Sequence, residues 1–97
     1  MERKTFCLNI LRNYSDYIKD NFGVKSMMLF GSVARGESHP DSDVDLYVEM
    51  PPKVFKIMDL EDFLIQLLGS KIDIIRKRKN INIFLLSEIE KDGILIF

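Results

Sequence analysis

The chain has 97 residues, room for one domain and not for two. Hydrophobic residues make up 46%, which excludes a disordered chain, and a net charge of −1 excludes a strongly basic nucleic-acid binder. A single cysteine, Cys7, excludes an internal disulfide, and no apolar run reaches the ~20 residues of a membrane helix. The opening MERKTFCLNILRNY is broken by Asn9, Arg12 and Asn13 and does not read as a signal peptide, so the expectation is a soluble, cytoplasmic protein.

In chain order, Arg3 to Phe22 reads as one amphipathic helix. Cys7, Leu11, Tyr14, Ile18 and Phe22 recur at helical spacing, and Asn21 and Gly23 mark its end. On that stripe Cys7 is expected to be buried and unreactive. Ser26 to Phe30 (SMMLF) predicts a short buried strand. Asp43 to Glu49 (DVDLYVE) alternates, placing Val44, Leu46 and Val48 on one face and Asp43, Asp45 and Tyr47 on the other. Pro51 and Pro52 end that strand. Lys53 to Leu68 returns to helical spacing through Ile57, Leu60, Leu64 and Leu67, with Gly69 as its stop. Lys71 to Ile75 predicts a third strand, Asn82 to Asp92 a third helix, and Ile94 to Phe97 a last edge strand. The order defines an α/β protein with a small mixed sheet and flanking helices.

Residues i and i+2 of a strand point the same way, ~6–7 Å apart at Cα. Asp43 and Asp45 therefore aim two carboxylates into one volume, where they repel unless a cation joins them. Mg²⁺ suits such a site, because it takes a few carboxylates and completes its shell with water and phosphate oxygens. A solvated strand end is the competing reading. Gly31-Ser32 follows the first strand. Glycine allows close approach of a ligand, and Ser32 is placed to N-cap a short helix through Val33, Ala34 and Arg35, a combination that suits phosphate. Asp73 is a charge between Ile72 and Ile74. It needs a partner, a metal or an exposed strand edge.

Topology can unite these groups. With the first two strands antiparallel, and the helix at 53–68 making the usual crossover to a parallel third strand, all three aspartates meet the Gly31-Ser32 turn at one end of the sheet.

The string GSVARGESHPDSDVDL resembles the signature of the polymerase-beta-like nucleotidyltransferase superfamily, and in particular its smallest members, the minimal nucleotidyltransferases (MNT proteins). The matching features are Gly31-Ser32, ten intervening residues, Asp43-Val44-Asp45, the Ala34-Arg35-Gly36 triplet, and Asp73 on the next strand. The resemblance implies the polymerase-beta-like nucleotidyltransferase fold over a single domain, 1–97. It implies Asp43, Asp45 and Asp73 as metal-binding and catalytic carboxylates that hold two Mg²⁺ ions for an in-line displacement. Gly31, Ser32 and Arg35 would bind the nucleotide, with ATP as donor. It further implies an antitoxin that moves AMP onto a tyrosine of a HEPN-domain toxin. Two alternatives stay open: a non-catalytic antitoxin that acts by binding, and a transferase for a small molecule.

Three features carry less. His39 is expected to be an exposed loop residue. The run Arg76 to Lys79 is either a solvated face or an anion contact. The apolar side of the first helix, or the terminal ILIF, could dock the partner or form a homodimer edge.

Overall fold

The structure is a computed structural model and describes residues 2–37, 39 and 41–97. Ser38 and Pro40, within the motif string, lie outside the described residues. The first helical stretch is kinked into α1 (Arg3–Asn13) and α2 (Ser15–Phe22). The hydrogen-bond ladder spans the kink, Tyr14 N–H donating to Ile10 O and Ile18 N–H to Tyr14 O, so the break is confined to one residue. Asn13 and Ser15 flank it, both of which compete with helical backbone hydrogen bonds. Of the expected stripe, Cys7, Leu11 and Ile18 are buried, but Tyr14 is turned out, edge-on to Phe63.

Strands β1 (Ser26–Phe30), β2 (Val44–Glu49), β3 (Ile72–Arg76) and β4 (Ile94–Leu95) form one sheet in the order β3-β2-β1-β4. β1 pairs antiparallel with β2 and β4, and β2 pairs parallel with β3. A single turn of helix, α3 (Gly31–Ala34), leaves β1 directly. Helix α4 (Val54–Leu68) makes the crossover from β2 to β3, and α5 (Ile83–Asp92) precedes β4.

One face of the sheet builds the core. Met27 and Leu29 of β1 and Val44, Leu46 and Val48 of β2 meet Leu60 and Leu64 of α4 and Leu11 and Ile18 of the kinked pair, all fully buried. Each such side chain contributes ~1.5–3 kcal/mol on burial. Gly69 ends α4 in the left-handed conformation (φ +67), which only glycine adopts without strain.

The second face is only partly covered. The register sets Met28 beside Tyr47 and Phe30 beside Asp45 on one side of β2, and Asp73 beside Asp45 on the other. Helix α5 lies over the β1 side of this face. Asn82 Oδ1 caps it, accepting from Phe84 N and Leu85 N (2.9 and 3.3 Å), and Ile89 is its buried anchor. The β2 and β3 side remains open.

Two surface expectations change. The apolar stripe of α1 and α2 and Ile96 of the terminal ILIF lie in the core. The exposed apolar residues include Val54, Phe55 and Met58 of α4 and Ile83 and Phe84 of α5.

Candidate active site

The link from β1 to α3 has no loop. Phe30 is extended (φ −139, ψ −174), and Gly31 turns the chain at φ +76. The Gly31 carbonyl already accepts from Arg35 N–H at 3.1 Å, so the helical ladder begins there. Phe30 is therefore the cap residue and Ser32 sits inside the first turn, partly buried, not at the N-cap the sequence suggests. Ser32 is nonetheless one of the first residues of the turn, whose amides have no intrahelical acceptors.

Why the turn must be glycine follows from its neighbour. A Cβ on Gly31 would overlap Asp45 Oδ2 and come within 3.0 Å of Asp45 Cγ. The Asp45 carboxyl thus rests directly over the Gly31 backbone. The antiparallel pairing of Phe30 with Asp45 fixes that contact, and the loop between them only has to reach back.

Asp73 stands beside Asp45 in the parallel register, on the exposed edge strand. Its exposure explains a charge in an otherwise apolar strand: the residue belongs to the open face. Asp43 is exposed and lies one residue before β2 begins. Burial, then the nearby charges of Asp73 and Asp43, push the Asp45 carboxyl up to about 6, while Arg35 pulls it down. The three predicted carboxylates therefore converge electrostatically on Asp45. Among the described residues no three acidic side chains are gathered tightly enough to cage an ion. What is present is a crowded carboxylate pair with a third in range. Such a donor set of hard oxygens, destabilised by its own repulsion, fits a magnesium-type cation.

Arg35 follows α3, with its guanidinium held by Glu37 Oε2 (Nε, 3.0 Å) and Asp92 Oδ2 (Nη1, 3.0 Å). The second contact ties α3 to the end of α5. Helix α5 also brings Glu88, whose charge adds to the rise at Asp45. Sequence reasoning missed Glu88, and no local signal could have shown it, because its nearness depends on α5 folding back over the sheet.

The remaining candidates fall outside this cluster. His39 is exposed; its carbonyl accepts from Arg3 Nη1 (2.7 Å) and its N–H donates to Ser42 Oγ (2.8 Å), contacts that shape the loop. Cys7 is buried, and burial pushes its thiol pKa up, which makes it a core residue. The run Arg76 to Lys79 lines a cavity of about 730 Å³ on the same open face, with Tyr47 in its wall.

The chain matches the family described as Polymerase beta, Nucleotidyltransferase over residues 12–97. It belongs to that family. Among relatives, it is 38% identical over 91 residues to a candidate protein adenylyltransferase of Methanocaldococcus jannaschii, covering 90% of this chain and 91% of the other. It is 38% identical over 71 residues to the protein adenylyltransferase MntA of Thermococcus cleftensis, covering 71% and 72%. In structure it is similar to a candidate minimal nucleotidyltransferase, with a TM-score of 0.75, 29% identity, and 97% and 95% of the two chains covered. A toxin–antitoxin crystal structure with AMP-PNP shares the fold, with a TM-score of 0.72 at 23% identity, covering 89% of this chain and 72% of that one. Within the family, then, this is a small nucleotidyltransferase of the minimal type.

Proposed function

We propose that the protein is an antitoxin that transfers AMP from ATP to a hydroxyl, a tyrosine, of a HEPN-type toxin. One observation carries the assignment of the site: Asp45 lies against the Gly31 turn with Asp73 beside it in register. This contact supports reading the Gly31 turn as a phosphate cradle beside the carboxylates. The relatives named protein adenylyltransferases support the reaction class. A Shewanella oneidensis structure described as a tri-AMPylated HEPN toxin in complex with an MNT antitoxin shares the fold (TM-score 0.67, 19% identity) and supports the kind of acceptor.

The reaction is an in-line displacement. The acceptor oxygen forms a bond to the α-phosphorus, the bond from that phosphorus to the bridging oxygen breaks, and pyrophosphate leaves. Asp43, Asp45 and Asp73 would hold magnesium, which supplies charge stabilisation to the entering and leaving oxygens. The amides and hydroxyl at Gly31 and Ser32 bind the β- and γ-phosphates. Asp73, exposed on the edge strand, accepts the hydroxyl proton as the acceptor attacks. Arg35, fixed by Glu37 and Asp92, adds positive charge beside Asp45 and the phosphates.

The test is incubation with α-labelled ATP, Mg²⁺ and the HEPN-type partner. Covalent label on the partner is expected with wild type and is lost with Asp43→Asn or Asp45→Asn, both of which keep the fold by circular dichroism. Transfer at wild-type rate by either variant would refute the assignment. Tight association without label would identify a binding antitoxin, and label on a free small molecule would identify the other alternative.

A further inference from the structure

The open face has a second end. Beyond Asp45 on β2, Tyr47 and Glu49 point the same way, and beyond Asp73 on β3 the chain runs into Arg76 to Lys79. The cavity of about 730 Å³ lies there, between the strand ends and α5. Its floor is apolar, from Met28, Tyr47, Leu86 and Ile89. Five basic residues line it, Lys25 and Arg76 to Lys79, against two acidic ones, Glu49 and Glu90. Glu49 is 3.8 Å from Lys77 Nζ, which leaves the other cations of the run without that carboxylate. A chain of net charge −1 thus carries a concentrated positive rim at one place.

The donor nucleotide does not account for these charges. Its phosphates belong at Gly31, Ser32 and the carboxylates, and its ribose and base are neutral. Glu49 is four residues past Asp45, about 13 Å along the strand. Single-stranded nucleic acid does not fit well either. Such grooves rely on several stacking aromatics, whereas Tyr47 is the one aromatic among the lining residues, and Glu49 and Glu90 would face the phosphates. An apolar floor with a mixed but mainly basic rim matches a peptide that carries apolar and carboxylate side chains.

We infer that this cavity docks the acceptor segment: an acidic peptide stretch bearing the target tyrosine. Its carboxylates meet Arg78 and Lys79, its apolar side chains pack on Met28 and Leu86, and its hydroxyl is delivered toward Asp73 and Asp45. Tyr47, two residues from Asp45 on the same face, makes the floor continuous with the reaction centre. The inference rests on the proposed protein acceptor.

The experiment uses the full chain and fluorescence anisotropy with a fluorescein-labelled, glutamate-rich peptide containing one tyrosine. Wild type binds it, salt weakens the binding, and the same peptide with glutamine for glutamate does not bind. Arg78→Glu combined with Lys79→Glu weakens it by about tenfold or more, while Lys53→Glu, on an exposed residue before α4, leaves it unchanged. In the transfer assay the double variant raises KM for the partner and leaves KM for ATP as in wild type. No binding of the peptide by wild type, or binding indifferent to the charge reversal, overturns the inference. So does a raised KM for ATP, which would seat the donor there, or displacement of the peptide by a uridine-rich RNA that binds more tightly. Should wild type label no acceptor at all, the proposed function fails by itself, and the anisotropy still decides the cavity.

Discussion

The two faces of β2 make the most instructive comparison in the molecule. Val44, Leu46 and Val48 are 0% exposed and packed against α4 and the kinked α1–α2 pair. Asp45, Tyr47 and Glu49, interleaved with them, are only partly covered. One backbone thus serves packing with its even-numbered residues and leaves its odd-numbered ones for the proposed chemistry. The close packing behind the strand holds Asp45 over Gly31 although its carboxyl is repelled by its neighbours. Substitutions on one face should therefore register in stability, and on the other in activity.

The largest expected effect is on the chemical face. Asp45→Asn should lower the transfer rate by ~10³-fold or more, in the range seen when a group stabilising transition-state charge is removed. Its melting temperature without added metal should be unchanged or higher at neutral pH, because a repelled carboxylate is gone. A clear loss of stability would break the division between faces.

Leu46→Ala, one residue on, should do the reverse. It opens a cavity in a fully buried site and should cost ~2–5 kcal/mol in chemical denaturation. Gly31→Ala tests the joint between the faces. The added methyl meets the Asp45 carboxyl and the residue keeps φ at +76, so ~1–3 kcal/mol of destabilisation should accompany a drop in activity. Asp45→Gly in the same background should recover the part of the stability lost to that overlap, leave the part lost to the positive φ, and not restore activity.

The smallest effect is in the pH profile. Asp45 titrates from 3.8 unfolded to about 6 folded, so the folded state holds the extra proton between those values. Metal-free stability should therefore be fuller below pH ~4 and fall as pH rises toward ~6, by ~1 kcal/mol after allowing for solvent screening. Asp45→Asn should flatten this slope, and Mg²⁺ should raise the melting temperature at pH 7 in wild type but not in the variant. An unchanged slope in the variant would assign the titration to another group.

Much of this was legible before any coordinates. The alternation in DVDLYV set which side chains of β2 are buried, and the crossover rule set β3 parallel to β2, which puts Asp73 beside Asp45. Other features were not legible. The kink at Tyr14 is a local competition among weak helix formers, which periodicity does not register. Ser32 reads as a cap because serine usually caps, but the strand runs into the turn without a loop and the cap falls two residues sooner, at Phe30. Glu88 and the Arg35 to Asp92 contact join residues far apart in the chain. The basic run has two readings in the sequence, and the cavity it lines forms only where β3 and α5 come together.

The sequence by itself determined the strands, their buried faces and the positions of the carboxylates, because those depend on period and on short-range sterics. Only the tertiary structure decided that Asp45 rests on Gly31, that α5 brings Glu88 and Asp92 to the site, and that a basic cavity adjoins it. Those are through-space contacts, whose energies depend on distances that residue order does not contain.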